Sequence, residues 1–340
     1  MGFHPIYRFS SVPLVLQLFR NSQPIAVVVL FLYAFLVRGL GVLYPPTYQI
    51  NDGGWLAIQL RHLLPLQGAT LGILSTLLVL LQGILLSNIA NRFKLAKTSS
   101  FFVAVFYILL LSCFREHYTL SPVLLANTFF IWALNELFSC FREYQASDKI
   151  FNAGMLIAIA TMLYPSFGIY LLLAIISLTT LRSLSLRDII VLLSGFIVPF
   201  FLAWTYFFLH DDTATLIQSQ FTNNIGFLQF NIQTQTPFYQ ALAVWGVAIL
   251  WIILNAQSYL YKTSVHIKKI STILFWGIFI ATFSIFVQGN ICTDHLILIS
   301  APVALFTGLN FLNINNQPIA ELLHLITLAA VVYVQYLMLG

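Results

Sequence analysis

Runs of about twenty apolar residues recur along this chain from residue 24 to residue 339, and nothing else in it restricts the fold so tightly. An α-helix needs roughly that length to cross about 30 Å of hydrocarbon while satisfying its own backbone hydrogen bonds. The runs are continuous and do not alternate, which excludes a transmembrane β-barrel. Composition agrees, with 60% of the 340 residues apolar and 7% charged, against roughly a quarter charged in a soluble domain. The chain reads as all-α, a polytopic transmembrane helix bundle forming a single integral membrane domain over residues 1–340.

About eleven membrane helices are predicted, near residues 24–43, 66–89, 99–114, 120–141, 150–164, 166–181, 188–209, 238–257, 271–288, 296–312 and 320–339. With the N-terminus cytoplasmic, the inner loops hold Arg8, Arg20, Arg92, Lys94, Lys97, Arg142, Lys149, Arg182, Arg187, Lys262, Lys268 and Lys269. Arg38, Arg61 and Arg115 fall outside, and twelve against three is a strong positive-inside bias. A missed crossing would swap sides for every later loop, so the bias also checks the count. After Lys269 no Lys or Arg remains to report the side. The expected location is the cytoplasmic membrane, multi-pass, with residues 1–23 cytoplasmic or interfacial. Residues 5–19 suit a short helix along the inner surface. Nothing like A-x-A follows the first apolar run, so that helix is expected to stay as a signal anchor.

The formal charge of +5 comes from basic residues spread singly between apolar segments, which argues against a nucleic-acid partner. Cys113, Cys140 and Cys292 lack C-x-x-C spacing and read as packing residues. The chain has no G-x-x-x-x-G-K-[ST] nucleotide loop and no repeat of fixed period, so an ATP-driven pump is not expected. Two features interrupt the simple bundle. The run 150–164 is short, ends at Pro165 and is expected to pair with 166–181. The outer loop 210–237 has no Lys or Arg and is rich in Gln, Asn and Thr, and a loop this long is usually functional or disordered.

An inner charge is explained by orientation, so the informative polar residues are the outer ones. The first outer loop, 44–65, carries Asn51-Asp52-Gly53-Gly54-Trp55 and then Arg61 and His62. Flanking prolines and glycines turn the backbone there and can hold the Asp52 carboxylate over the bundle; alternatively Asn51-Asp52 caps the helix starting at Trp55. The second loop has Arg115, Glu116 and His117, with Glu116 either functional or part of a solvated loop ion pair. Arg38 lies inside the outer end of the first helix, where it can snorkel to headgroups or bind a phosphate bidentately. Arg38, Arg61 and Arg115 together could form a cationic outer site suited to a lipid phosphate. His210, Asp211, Asp212, Asp294 and His295 offer ligands for a possible divalent metal, without H-E-x-x-H or comparable spacing.

The order of these features resembles the C-class (GT-C) membrane glycosyltransferases, which take a sugar from a polyprenyl-phosphate carrier outside the cytoplasm. Asp52 matches their carboxylate in the first outer loop, and Glu116 the acidic residue of the next. Ser121-Pro122-Val123-Leu124-Leu125 is similar to their polar-Pro start of the fourth helix. The segments Phe151-Asn152-Ala153-Gly154 and Tyr164-Pro165-Ser166 look like their short helix pair. The chain also resembles a family of polytopic membrane proteins of Bacteroidota. It departs from the class in carrying a lone Asp followed by glycines where many members have an acidic pair.

The resemblance implies Asp52 as general base on an acceptor hydroxyl, Glu116 orienting it, and the arginines holding the polyprenyl phosphate. His62, His117, His210, Asp294 and His295 are candidate substrate-binding residues under that reading. The loop 210–237 would cover the site, with Phe227 and Phe230 against lipid or sugar. The expected partners are membrane lipid, a polyprenyl-phosphate sugar donor and an envelope protein. The alternatives are a lipid or solute transporter, which would want polar residues at the midplane and a repeated half, and a non-catalytic subunit of an envelope complex.

Overall fold

The computed structural model describes residues 15–20, 24–44, 53–63, 68–143, 145–183, 185–222, 236–261, 263–284 and 293–339. Within them the helices are α1 (Val15–Phe19), α2 (Pro24–Leu43), α3 (Trp55–Leu63), α4 (Ala69–Arg92), α5 (Phe102–Leu111), α6 (Pro122–Ser139), α7 (Ser147–Leu163), α8 (Tyr170–Leu181), α9 (Leu186–Leu209), α10 (Thr213–Ile217), α11 (Thr236–Tyr261), α12 (Val265–Ser284), α13 (Asp294–Leu312) and α14 (Gln317–Leu339). Each of the eleven apolar runs coincides with one of these helices. Among the described residues, seven helices are long and apolar enough to cross a membrane by length and composition.

The centre of the bundle is built on α5 and α13. All ten residues of α5 are buried, and 89% of the α13 span is, whereas α9 and α11 bury only 17% of theirs and so give most of their surface to lipid. At ten residues, α5 is about 15 Å long, half the thickness of the hydrocarbon core. It ends where Ser112 and Cys113 turn back onto the carbonyls of Ile108 and Leu109.

A helix that stops inside a bundle leaves carbonyls that lipid cannot satisfy. Neighbouring helices supply the donors here. Trp245 Nε1 donates to Leu110 O at 3.2 Å, Arg38 Nη1 to Leu111 O at 3.2 Å, and both Tyr118 and Gln335 to Ser112 O at 2.8 and 2.9 Å. Deeper in the bundle, Tyr107 donates to Gln82, and Asn127 bridges Tyr107 and Ser300 at 2.8 and 3.2 Å, tying α4, α5, α6 and α13 together.

The expected pairing of 150–164 with 166–181 is not the main contact of α7. That helix lies along α6 and α9, because Gly154 and Gly195 cross with no side chain between the backbones. A Cβ at Gly154 would overlap the Leu192 carbonyl oxygen, and one at Gly195 the Phe151 carbonyl oxygen. Close approach over small residues is what holds helices together when lipid removes the hydrophobic contrast. Pro165 then opens a 3-10 turn, Pro165–Ile169, that leads into α8.

The loops sort to two ends. At one, Phe101 N donates to Phe19 O at 2.9 Å, the His266 ring meets those of Phe93 and Phe141, and Lys269 reaches Leu181 O at 3.3 Å. These contacts gather the basic loops on one side, as the charge pattern requires. Arg115 Nη1 donates to Met338 O at 3.2 Å at the opposite end, which places the last turn of α14 there, a point on which charge was silent.

Candidate functional site

The end of the bundle opposite the basic loops collects pieces of all four segments that the charge pattern reads as outer. His117 Nε2 donates to Thr293 O at 3.2 Å, linking the second to the fourth. Gly54 N donates to Leu163 O at 2.9 Å and Trp55 N to Gln220 Oε1 at 3.1 Å, linking the first to the end of α7 and to the start of the third. Gly53 is seated against Pro122 at the start of α6, where a Cβ would lie 3.1 Å from the ring.

Arg38 is fully buried, which is neither of the roles expected from its position. Its Nε donates to Thr76 Oγ1 at 3.3 Å, Nη1 to Leu111 O, and Nη2 to Ser75 Oγ at 2.9 Å and His117 O at 2.5 Å, while the guanidinium lies 4.6 Å over the Tyr118 ring. It has no carboxylate within ion-pairing distance among the described residues. The π face of Tyr118 and the negative end of the α5 dipole balance the charge instead. A guanidinium with four donors committed to protein is a structural hub, so snorkelling is forestalled by Ser75 and Thr76. Gly41 is part of the same arrangement, because a Cβ there would overlap the Tyr118 ring.

Beside it, Arg115 and Glu116 stand in a 3-10 turn, Arg115–Tyr118. Arg115 spends Nη1 on Met338 O, but its Nε is buried without a hydrogen-bond partner among the described residues, and so is Oε2 of Glu116. The two do not form the ion pair that is the alternative reading of Glu116. Arg115 lines a small cleft with Tyr44, Tyr118, Gln335 and Met338, between α2 and α14. Burial raises the Glu116 carboxyl above the usual carboxylate range, partly opposed by the Arg115 charge. Burial also pulls the His117 imidazole down to about 4, so it is neutral at pH 7. The turn therefore offers one unused carboxyl oxygen and, on the neighbouring residue, one unused guanidinium donor, groups able to orient a hydroxyl and to hold a phosphate oxygen.

The remaining candidates are spread. Asp52, Phe227 and Phe230 lie outside the described residues. Arg61 and His62 are exposed on the last turn of α3. His210 is exposed at the C-cap of α9, its Nδ1 donating to Tyr206 O at 2.8 Å, and Asp212 accepts from Thr215. Asp294 opens α13, with its side chain outside the described part, and His295 beside it is buried. Among the described residues no group of three or more His, Cys, Asp or Glu is arranged to hold a metal ion. Gln220, Thr293 and the Ser75-Thr76 pair escaped the sequence reading, since their partners are 37 or more residues away.

Among solved structures, the chain is similar to ArnT from Cupriavidus metallidurans bound to undecaprenyl phosphate, with a TM-score of 0.50 and 13% identity over 93% of this chain. The architecture is GT-C-like. At this identity the likeness is one of fold, and the chain spans 60% of the length of ArnT. A second similar structure is the Archaeoglobus fulgidus oligosaccharyltransferase tethered with an acceptor peptide, at a TM-score of 0.45 and 10% identity, covering 90% of this chain and 50% of that one. No protein-family profile matches the sequence, and no curated protein matches it.

Proposed function

We propose that the chain is a membrane glycosyltransferase that transfers a sugar from a polyprenyl-phosphate carrier at the outer face of the cytoplasmic membrane. The observation that carries this reading is the adjacent pair Arg115 and Glu116, each keeping a buried polar atom without a partner among the described residues. Buried groups of this kind are costly unless a ligand completes them. Their setting supports the reading, since a protein of similar fold binds undecaprenyl phosphate.

In the reaction, the bond from the sugar's anomeric carbon to the carrier phosphate breaks and one to the acceptor oxygen forms. Asp52 takes the acceptor's proton as general base. Arg115 holds the departing phosphate as its charge develops, and Glu116 orients the acceptor hydroxyl through its free oxygen. Gly53, the chain neighbour of Asp52, rests on Pro122, six residues beyond Glu116, which supports the two acids serving one reaction.

Native mass spectrometry of the purified protein with polyprenyl phosphate tests the donor side. The parent should retain the lipid, and Arg115→Gln should weaken retention about tenfold or more, the scale of one charge-assisted hydrogen bond. Equal retention of neutral polyprenol would remove the phosphate site and leave a transporter or a non-catalytic envelope subunit as the better reading.

A further inference from the structure

Two helix ends with opposite deficits meet in this bundle. At the C-terminus of α7, Thr161 O would ordinarily accept from the amide four residues on, but that residue is Pro165, which has none. At the N-terminus of α3, the amides of Gly54 and Trp55 have no acceptor within their own helix. The side chain of Gln220, 1% exposed, lies between them. Its Nε2 donates to Thr161 O at 2.7 Å and its Oε1 accepts from Trp55 N at 3.1 Å. Gly54 N takes Leu163 O directly, and a Cβ at Gly54 would overlap both Met162 O and the Gln220 oxygen. The ring of Trp55 closes edge-on against Phe207 of α9 at 5.1 Å.

We infer that Gln220 is a positioning residue: its carboxamide clasps the start of α3 to the end of α7 and so fixes Gly54 and Trp55, two and three residues after Asp52 in the chain. For function the inference rests on the reading that Asp52 is the general base. The same contacts anchor Gln218–Thr222, which follows α10 in the segment 210–237, against α3 and α7. Gly54 O accepts from Ala57 N and Ile58 N, so Gly54 holds the N-cap position, and the Trp55 amide is met by Gln220.

Gln220→Met keeps the length of the side chain and removes both bonds, whereas Gln220→Glu keeps an acceptor for Trp55 and loses the donor to Thr161. Hydrogen exchange of the purified protein should speed about tenfold in the amides of residues 54–57 for Gln220→Met, as expected for one lost buried bond, and less for Gln220→Glu. Exchange in α5 and α13 should not change. In cells carrying the variant as their only copy, Gln220→Met should reduce glycan transfer while purified protein retains polyprenyl phosphate as the parent does. Unchanged exchange at 54–57 would overturn the clasp. Faster exchange with full transfer would reduce Gln220 to a structural cap. If Asp52→Asn transfers normally, the functional reading fails while the exchange result still decides the clasp.

Discussion

Arg38 and His117 meet at 2.5 Å, guanidinium to main-chain carbonyl, joining the first membrane helix to the outer turn that carries Arg115 and Glu116. The contact is made without a carboxylate, from a cation that is fully buried. The turn is thus tied to the bundle by a residue with no exposed surface of its own.

Removing that cation leaves the carbonyl of Leu111 without its donor and that of His117 with only the Ser75 hydroxyl, at 3.1 Å. Arg38→Met should destabilise the protein by on the order of 3 kcal/mol. Arg38→Lys should recover little, because an ammonium cannot span the four acceptors a planar fork reaches. Thermal unfolding in detergent measures both, and a lysine variant as stable as the parent would mean that charge alone matters.

The α7–α9 crossing predicts a contrast among glycines. Gly154→Ala and Gly195→Ala push methyl groups into facing carbonyl oxygens and should each cost about 1–3 kcal/mol. Gly39→Ala and Gly246→Ala meet nothing within 4 Å, and should be neutral or slightly stabilising through helix propensity. Equal effects in the two pairs would contradict the packing described.

The helices were legible because burial in hydrocarbon is additive along the chain: twenty apolar residues announce a span whatever they later touch. The side chains were less so. Arg38 near a helix end reads as a headgroup ligand, and only Ser75 and Thr76, brought alongside by the packing of α2 on α4, turn it inward. Pro165 marks an orphaned carbonyl at Thr161 by simple counting, yet nothing local names Gln220 as its donor, 59 residues away. Arg115 and Glu116 were found as outer charges. Their failure to pair depends on burial, which the order of residues does not encode. The pairing expected of 150–164 with 166–181 is present, but the closer crossing of α7 with α9 depends on two glycines far apart in the chain.

Two titrations run in opposite directions. His117, lowered from 6.5 to about 4, gives a contribution that is complete above pH 6.5 and lost as pH falls toward 4. Glu116, raised above 4.5, gives one that is complete below that pH and lost as pH rises through its folded value. Thermal unfolding against pH should show a shallower acid decline for His117→Gln. It should show Glu116→Gln more stable than the parent at neutral pH, the gap closing toward pH 4.5. Parallel curves for parent and variants would refute both assignments.

Orientation has its own check. With the native cysteines replaced, His62→Cys on the exposed last turn of α3 should react with a membrane-impermeant maleimide on intact cells. Lys97→Cys, exposed at the basic end, should react only after lysis. The reverse pattern would turn the Arg115 turn toward the cytosol.

Sugar transfer itself is the most direct measurement. Envelope glycans should be profiled by mass spectrometry in cells whose only copy of the protein is the parent, Asp52→Asn or Glu116→Gln, with each variant shown to be folded in the membrane. Loss of a general base should lower transfer at least about a hundredfold for Asp52→Asn, with a substantial loss for Glu116→Gln. Parental glycan yield from both folded variants would contradict a catalytic role for this end of the bundle.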